Sequence, residues 1–254
     1  MLKFIYITFF LILLYAPIII LTINSFNLSL YGISWDGFTL QWYKNLYSNT
    51  SLLIAAKNSL ILAITSSILS IVFGVLSSFA MYKYRFPGRK LLFLSIQSMI
   101  VFPDIILAVS LLMLFIFANL KLGFFSIFLA HAALTAPFSS LIIFLGFKKI
   151  ENNVLEAAKD LGASDWQIFS KIFLPLVTPN IIAAYLISFT LSFDDAIISN
   201  FVSGPSYELL PLKILSLARL AIKPDINAIC VIILIITIVL IMLAQFFLKE
   251  KKHV

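Results

Sequence analysis

Apolar residues gather in six long runs, near 4–23, 58–81, 91–117, 125–147, 180–202 and 226–248. Each is long enough to cross a hydrocarbon core of about 30 Å at a rise of about 1.5 Å per residue. The pattern predicts an all-α polytopic membrane protein with six transmembrane helices in a single domain, 1–254. The first run exceeds a typical signal-peptide core, and no small-x-small cleavage site follows before Asn24, so it reads as a retained helix. Pro17 within it removes a backbone hydrogen bond and predicts a kink.

The polar segments carry their own patterns. In 24–57, Trp35, Trp42, Tyr43 and Tyr47 predict a short interfacial helix near 39–47, which serves either as a membrane anchor or as a contact surface for a soluble delivery protein. Residues 82–90, YKYRFPGRK, form a turn broken at Pro87-Gly88, and 118–124 a tight connection. The segment 203–225 contains ILSLARLAI, too short to span and suited to a short helix at one face.

The loop 148–179 is richer. Within it, ENNVLEAAKDLGASDWQIFSKIFLP (151–175) has the grammar of two short helices. Asn153 as N-cap with Glu156 three residues on makes a capping box, Leu155, Ala158 and Leu161 share a face, and Gly162 suits the left-handed position that ends a helix. Ser164 with Gln167 makes a second capping box, opening a helix that Pro175 terminates. Two helices joined by a glycine elbow make either a stiff strut or an amphipathic hairpin resting on the headgroups.

Composition agrees with the membrane assignment: 62% of residues are apolar and 11% charged. The net charge of +7 suggests nucleic acid until it is placed along the chain. With the N-terminus inside, twelve of the eighteen Lys and Arg residues fall on cytoplasmic segments, among them Lys3, Lys83, Arg85, Arg89, Lys90, Lys148, Lys149, Lys251 and Lys252, while the outer segments hold Lys44, Lys57, Lys121, Lys213, Arg219 and Lys223. That bias places both termini in the cytoplasm and removes nucleic acid as a partner. Cys230, the single cysteine, lies in an apolar run, which excludes a disulfide framework or a cysteine metal site.

Three carboxylates fall within the expected spans: Asp104, Asp194 and Asp195. A carboxylate at mid-bilayer costs several kcal/mol unless it faces the bundle interior or water. Counted along straight helices, Asp104 and Asp194 each lie about 20 Å from the inner end of their span, so their depths match. Pro103 predicts a local kink or unwinding, and Phe102 and Phe193 flank the acids with ring faces suited to a cation. The acids form either an electronegative waypoint for a cationic solute or partners of neighbouring helices, such as those carrying Ser188, Ser192 or Thr190. His131 suits a helix–helix hydrogen bond. The sequence contains no metal cluster, nucleophile triad or phosphate-binding loop, so it is not read as an enzyme, and no catalytic residue, metal or cofactor of its own is expected.

The spacing Glu156-Ala157-Ala158, Gly162, Ile172-x-Leu174-Pro175 resembles the EAA loop of permease subunits in binding-protein-dependent ABC importers. NSFN (24–27), WDGFTLQWY (35–43), YKYRFPG (82–88), FPDIILAVSLL (102–112) and SFTLSFDDAIISNFVSGPSYELLPLKI (188–214) resemble the spermidine/putrescine, PotC-type, branch, with Ser203 where that branch usually has threonine. The resemblance implies a type I ABC importer permease fold in a bacterial cytoplasmic (inner) membrane. It implies a PotB-type second permease, two copies of a cytoplasmic ATPase that bind ATP and Mg, and a periplasmic polyamine-binding protein. It makes 151–175 the coupling helix, with Glu156, Ala157, Ala158, Leu161 and Gly162 at the ATPase, and makes Asp104, Phe193, Asp194 and Asp195 pathway residues. An importer for another cationic or small solute and a proton-coupled secondary carrier are the alternatives.

Overall fold

The computed structural model describes residues 2–30, 32, 34–220 and 224–250, with side chains described for all of these except 2–5, 152, 155, 220, 240, 241 and 243–250. Lys223, Lys251 and Lys252, counted in the charge bias, lie outside the described residues, as do the side chains of Lys3 and Leu155. The described residues are almost all helical, with one isolated antiparallel bridge, Asn27 to Phe38. They form two compact units, one within Met1–Ala56 and Leu212–Phe246, the other within Lys57–Pro211 and Phe247–Val254.

The first unit contains α1 (Leu2–Ser25), α2 (Gln41–Ser48) and most of α12 (Pro224–Glu250). α1 is apolar on every side and its described side chains are mostly exposed, as a lipid-facing span requires. The loop after it is tightly folded around Asn27. Its Oδ1 accepts from the N–H groups of Ser29 (3.1 Å) and Asp36 (3.0 Å), its Nδ2 donates to Ser34 O (2.6 Å), and its carbonyl accepts from Trp42 Nε1 (2.7 Å). Phe26 stacks on both Phe38 and Tyr43. The expected short helix is α2, and Trp42 is its buried anchor while Trp35 and Tyr47 stay exposed.

The second unit is built around α6 (Phe124–Phe147). This helix is apolar all round and heavily buried, the pattern of a core helix. α9 (Leu174–Asp194) and α4 (Arg89–Val101) pack on it, and α10 (Ile197–Val202) packs on α5 (Asp104–Phe117). Gly146 lets α9 approach: a Cβ there would lie 2.6 Å from Asn180 Cγ. Serines knit the helices together where lipid offers no hydrophobic drive. Ser139 Oγ lies 2.6 Å from Ser70 Oγ on α3 (Thr50–Lys83) and 2.7 Å from Ser188 Oγ on α9, and Ser78 donates to Ser140 O at 2.6 Å. The segment after α10 is pinned to α3 by Leu210 N–H donating to Ser59 Oγ (2.8 Å) and Asn58 Nδ2 donating to Glu208 O (3.0 Å). α11 (Leu210–Leu220) is the expected short helix of the 203–225 segment.

Four described helices are long and apolar enough to cross a membrane: Tyr6–Ser25, Thr50–Lys83, Phe124–Phe147 and Asp165–Asp194. The expected run 226–248 falls in α12, whose described apolar stretch is Pro224–Val239. Two expected spans differ in detail. The run 91–117 is not one rod: α4 and α5 meet at Phe102–Pro103 with a bend of 112°, because Pro103 has no N–H to continue the helix and holds an extended backbone. The run 180–202 begins earlier, at Asp165, and breaks at Asp195-Ala196 before α10.

Candidate functional site

The polar segment 151–175 is anchored to the spans. α7 (Asn152–Asp160) starts earlier than the sequence suggested: Val154 N–H already bonds to Glu151 O (3.1 Å), so Asn153 lies inside the first turn and is not the N-cap. The end is as expected. Gly162 has φ +76°, and Gly162 N–H and Ala163 N–H close the helix on Lys159 O and Ala158 O. The second capping box also forms, with Ser164 N–H donating to Gln167 Oε1 (2.8 Å) and Gln167 N–H donating to Ser164 Oγ (3.4 Å).

Pro175 does not terminate the helix that this box opens. The turn α8 (Asp165–Gln167) runs through a π-helical stretch, Ile168–Phe173, into α9, and Pro175 falls in the first turn of α9. A wider turn just before the proline relieves the clash and the missing donor that would otherwise stop a helix. The segment is therefore one short helix, an elbow, and the head of a long span, rather than two separate short helices.

Its faces are sharply divided. Ala158, Ile168 and Phe173 are buried in one cluster with Phe147 of α6 and Val177 of α9. Phe79 and Tyr82 of α3 stack into the same cluster, with Phe79 4.6 Å from Phe169 and Tyr82 5.5 Å from Phe173. Leu161 is 87% exposed and Trp166 71% exposed, so Leu161 does not share the face of Ala158: it caps the helix as the chain turns into the left-handed Gly162. Glu156, Ala157 and Gly162 are exposed with it. Lys83 at the end of α3 reaches Asp165 (2.6 Å), lying also against the rings of Phe79 and Tyr84.

The three carboxylates part company. Asp104 is exposed as the first residue of α5, beyond the bend, so the straight-rod depth estimate has no footing for it. Asp194 is exposed at the end of α9. Its neighbour Asp195 turns inward, with a side chain only 7% exposed. Its carboxylate accepts from the N–H groups of Ile198 (3.2 Å) and Ser199 (2.8 Å), capping α10, and lies 3.4 Å from Nε2 of the fully buried His131. His131 bridges further: Nε2 is 3.0 Å from Ser199 Oγ, Nδ1 is 2.7 Å from Ser192 Oγ, and Ser192 Oγ is 2.9 Å from Ser66 Oγ on α3. Phe193 stacks on Phe189 at 5.8 Å and Phe189 on Tyr185 at 6.4 Å, a half-buried aromatic stripe along α9 that leads to Asp194.

The family described as binding-protein-dependent transport system inner membrane component matches residues 68–249, a stretch holding both the 151–175 segment and the two helix breaks. The chain belongs to this family. Among relatives of this inner-membrane transport component, the spermidine/putrescine transport system permease protein PotC of Escherichia coli is 43% identical over 238 residues, covering 94% of this chain and 90% of that protein. The putrescine transport system permease protein PotI of Escherichia coli is 33% identical over 228 residues, covering 87% and 81%. The fold matches a solved bacterial ABC transporter involved in the import of the acidic polysaccharide alginate, with a TM-score of 0.76 at 18% identity, covering 96% of this chain and 92% of that one.

In this transport component the sequence left several site residues unremarked. Tyr185 and Phe189 announce themselves by the four-residue spacing that ends at Phe193. Trp166 is a large apolar residue in a polar turn, a signal of an outward contact. The pairings Lys83–Asp165 and His131–Asp195 carry no sequence signal, because their partners are distant along the chain.

Proposed function

We propose that the chain is one of two permeases that line the path of polyamines through an ATP-driven importer, working with a PotB-type second permease, two copies of a cytoplasmic ATPase that hold ATP and Mg, and a periplasmic polyamine-binding protein. Both termini and the 151–175 segment face the cytoplasm in this assignment, following the basic bias of the loops. The observation that carries it is the division of faces at 151–175: a solvent-exposed tip, Glu156, Ala157, Leu161, Gly162 and Trp166, on a base buried among α3, α6 and α9. Ala158 then acts as the seat of the lever. When the ATPases close, a push on the tip is delivered to α6 and α9 together, because Ala158, Ile168, Phe147, Phe173 and Val177 share one cluster.

The substrate class rests on the likeness to permeases named for spermidine and putrescine, and the chemistry agrees with it. A polyamine is a flexible chain of ammonium groups and methylenes. The aromatic stripe Tyr185–Phe189–Phe193 offers ring faces to both, and exposed Asp194 and Asp104 offer negative charge. Asp195 serves the framework and sets where the helix breaks.

The test is uptake of labelled putrescine and spermidine by proteoliposomes holding the complete transporter. Uptake that requires ATP and falls at least about tenfold in Asp194→Asn or Asp104→Asn supports the assignment. Uptake driven by a proton gradient without ATP would sink it.

A further inference from the structure

A cavity of about 340 Å³ opens between the end of α3, the start of α4 and the end of α6. Met81, Phe93 and Phe144 supply apolar walls, and Arg89, Lys90 and Lys148 supply charge; no carboxylate is among its lining residues. The floor is rigid, since Met81 and Phe144 are buried and Phe93 packs on Phe144 at a ring separation of 5.5 Å. Lys148 Nζ lies 5.2 Å above the Phe144 ring, aimed across the floor. Among the described residues, none of the three cations is in an ion pair. The first turn of α4 also lacks an acidic residue, so Arg89 and Lys90 add their charge to the positive end of that helix dipole. Lys90 and Lys148 are exposed and Arg89 half-buried, so the three cations converge on one mouth over an apolar floor where an anion can meet them together.

We propose that this cavity binds the phosphodiester headgroup of an anionic glycerophospholipid. The flank of the cavity selects an amphiphile over a free anion: Leu91 and Leu94 on α4 are 70% and 49% exposed, giving acyl chains an apolar path away from the charged mouth. A zwitterionic lipid carries its own ammonium beside the phosphate and gains less from three cations. The cavity lies at the end of the bundle that the proposed function puts in the cytoplasm, so the choice of the inner leaflet rests on that reading. Binding itself does not. The lipid would brace the α4 entry and the α3–α6 contact close to the lever.

The test uses the full chain in phosphatidylcholine nanodiscs with Phe93→Trp as a reporter, measured against the same chain without the change. Brominated phosphatidylglycerol is expected to quench the added fluorescence at a mole fraction at least about fivefold lower than brominated phosphatidylethanolamine, since each basic residue near an anionic lipid contributes roughly a fivefold factor. Combining Arg89→Gln, Lys90→Gln and Lys148→Gln should bring the two lipids together. Lys148→Gln alone, at an exposed position, should weaken phosphatidylglycerol about fivefold and serves if the triple variant does not fold. Equal quenching by both lipids, or no change in the charge variants, overturns the proposal. Release of the quenching by millimolar inorganic phosphate identifies a free-anion site and overturns it as well.

Discussion

Asp194 and Asp195 are adjacent, yet they have opposite fates, and the difference is set by what each can reach. Successive residues on a helix point about 100° apart, and Asp195 ends α9 with an extended backbone that swings its carboxylate onto α10 and His131. Truncating His131 leaves that buried carboxylate with two backbone donors but without its imidazole, and takes from the Ser199 hydroxyl the ring nitrogen 3.0 Å away, while Ser192 keeps Ser66. Breaking a buried pair typically costs about 3–5 kcal/mol. The remaining donors reduce this, so His131→Ala is expected to lower stability by about 2–3 kcal/mol. Asp194→Asn should leave stability unchanged, as an exposed polar exchange. Thermal unfolding of the two variants in detergent separates the roles: equal destabilisation would mean that Asp194, too, belongs to the framework.

At the scale of elements, the proposed lever at 151–175 requires stiff connections. Gly162 has open space around it, so replacing it costs conformational energy alone: Gly162→Ala forces a Cβ into φ +76°, at about 1–2 kcal/mol. The elbow angle should change with it, and co-purification of the ATPase should fall, more so in Gly162→Asp; full retention in both variants would count against the lever. The Lys83–Asp165 tie, 2.6 Å long, joins the end of α3 to the turn after the elbow. Protection of the 160–170 amides from hydrogen exchange should therefore fall in Asp165→Asn. Unchanged protection in that variant would mean that the tie does not hold the elbow. Much of this element was legible: the Gly162 elbow and the Ser164–Gln167 box obey local backbone rules. The continuation past Pro175 was not, because it depends on a π-helical stretch that packing among Phe79, Phe147, Phe169 and Phe173 supports.

Over the whole molecule, hydropathy predicts where the chain can enter lipid, but not the direction of its backbone. Apolarity averaged over 91–117 cannot register a 112° turn at Phe102–Pro103, and the serine ties among α3, α6 and α9 are invisible because serine sits cheaply in an apolar run. On the proposed function, the resulting architecture separates two jobs along one helix. The aromatic stripe and Asp194 lie at one end of α9, while the 151–175 segment proposed as the lever is continuous with the other end. Damage to one end should therefore spare the other. Leu161→Glu places a charge on the exposed tip without touching the buried base, since Leu161 is 87% exposed. In the reconstituted transporter it should abolish both uptake and the stimulation of ATP hydrolysis by loaded binding protein. Asp194→Asn should reduce uptake while ATP hydrolysis and its stimulation persist, because the lever and its seat are intact. Measuring hydrolysis and uptake on the same vesicles decides the matter: if the two variants lose both activities in parallel, the ends of α9 do not act separately and the lever description fails.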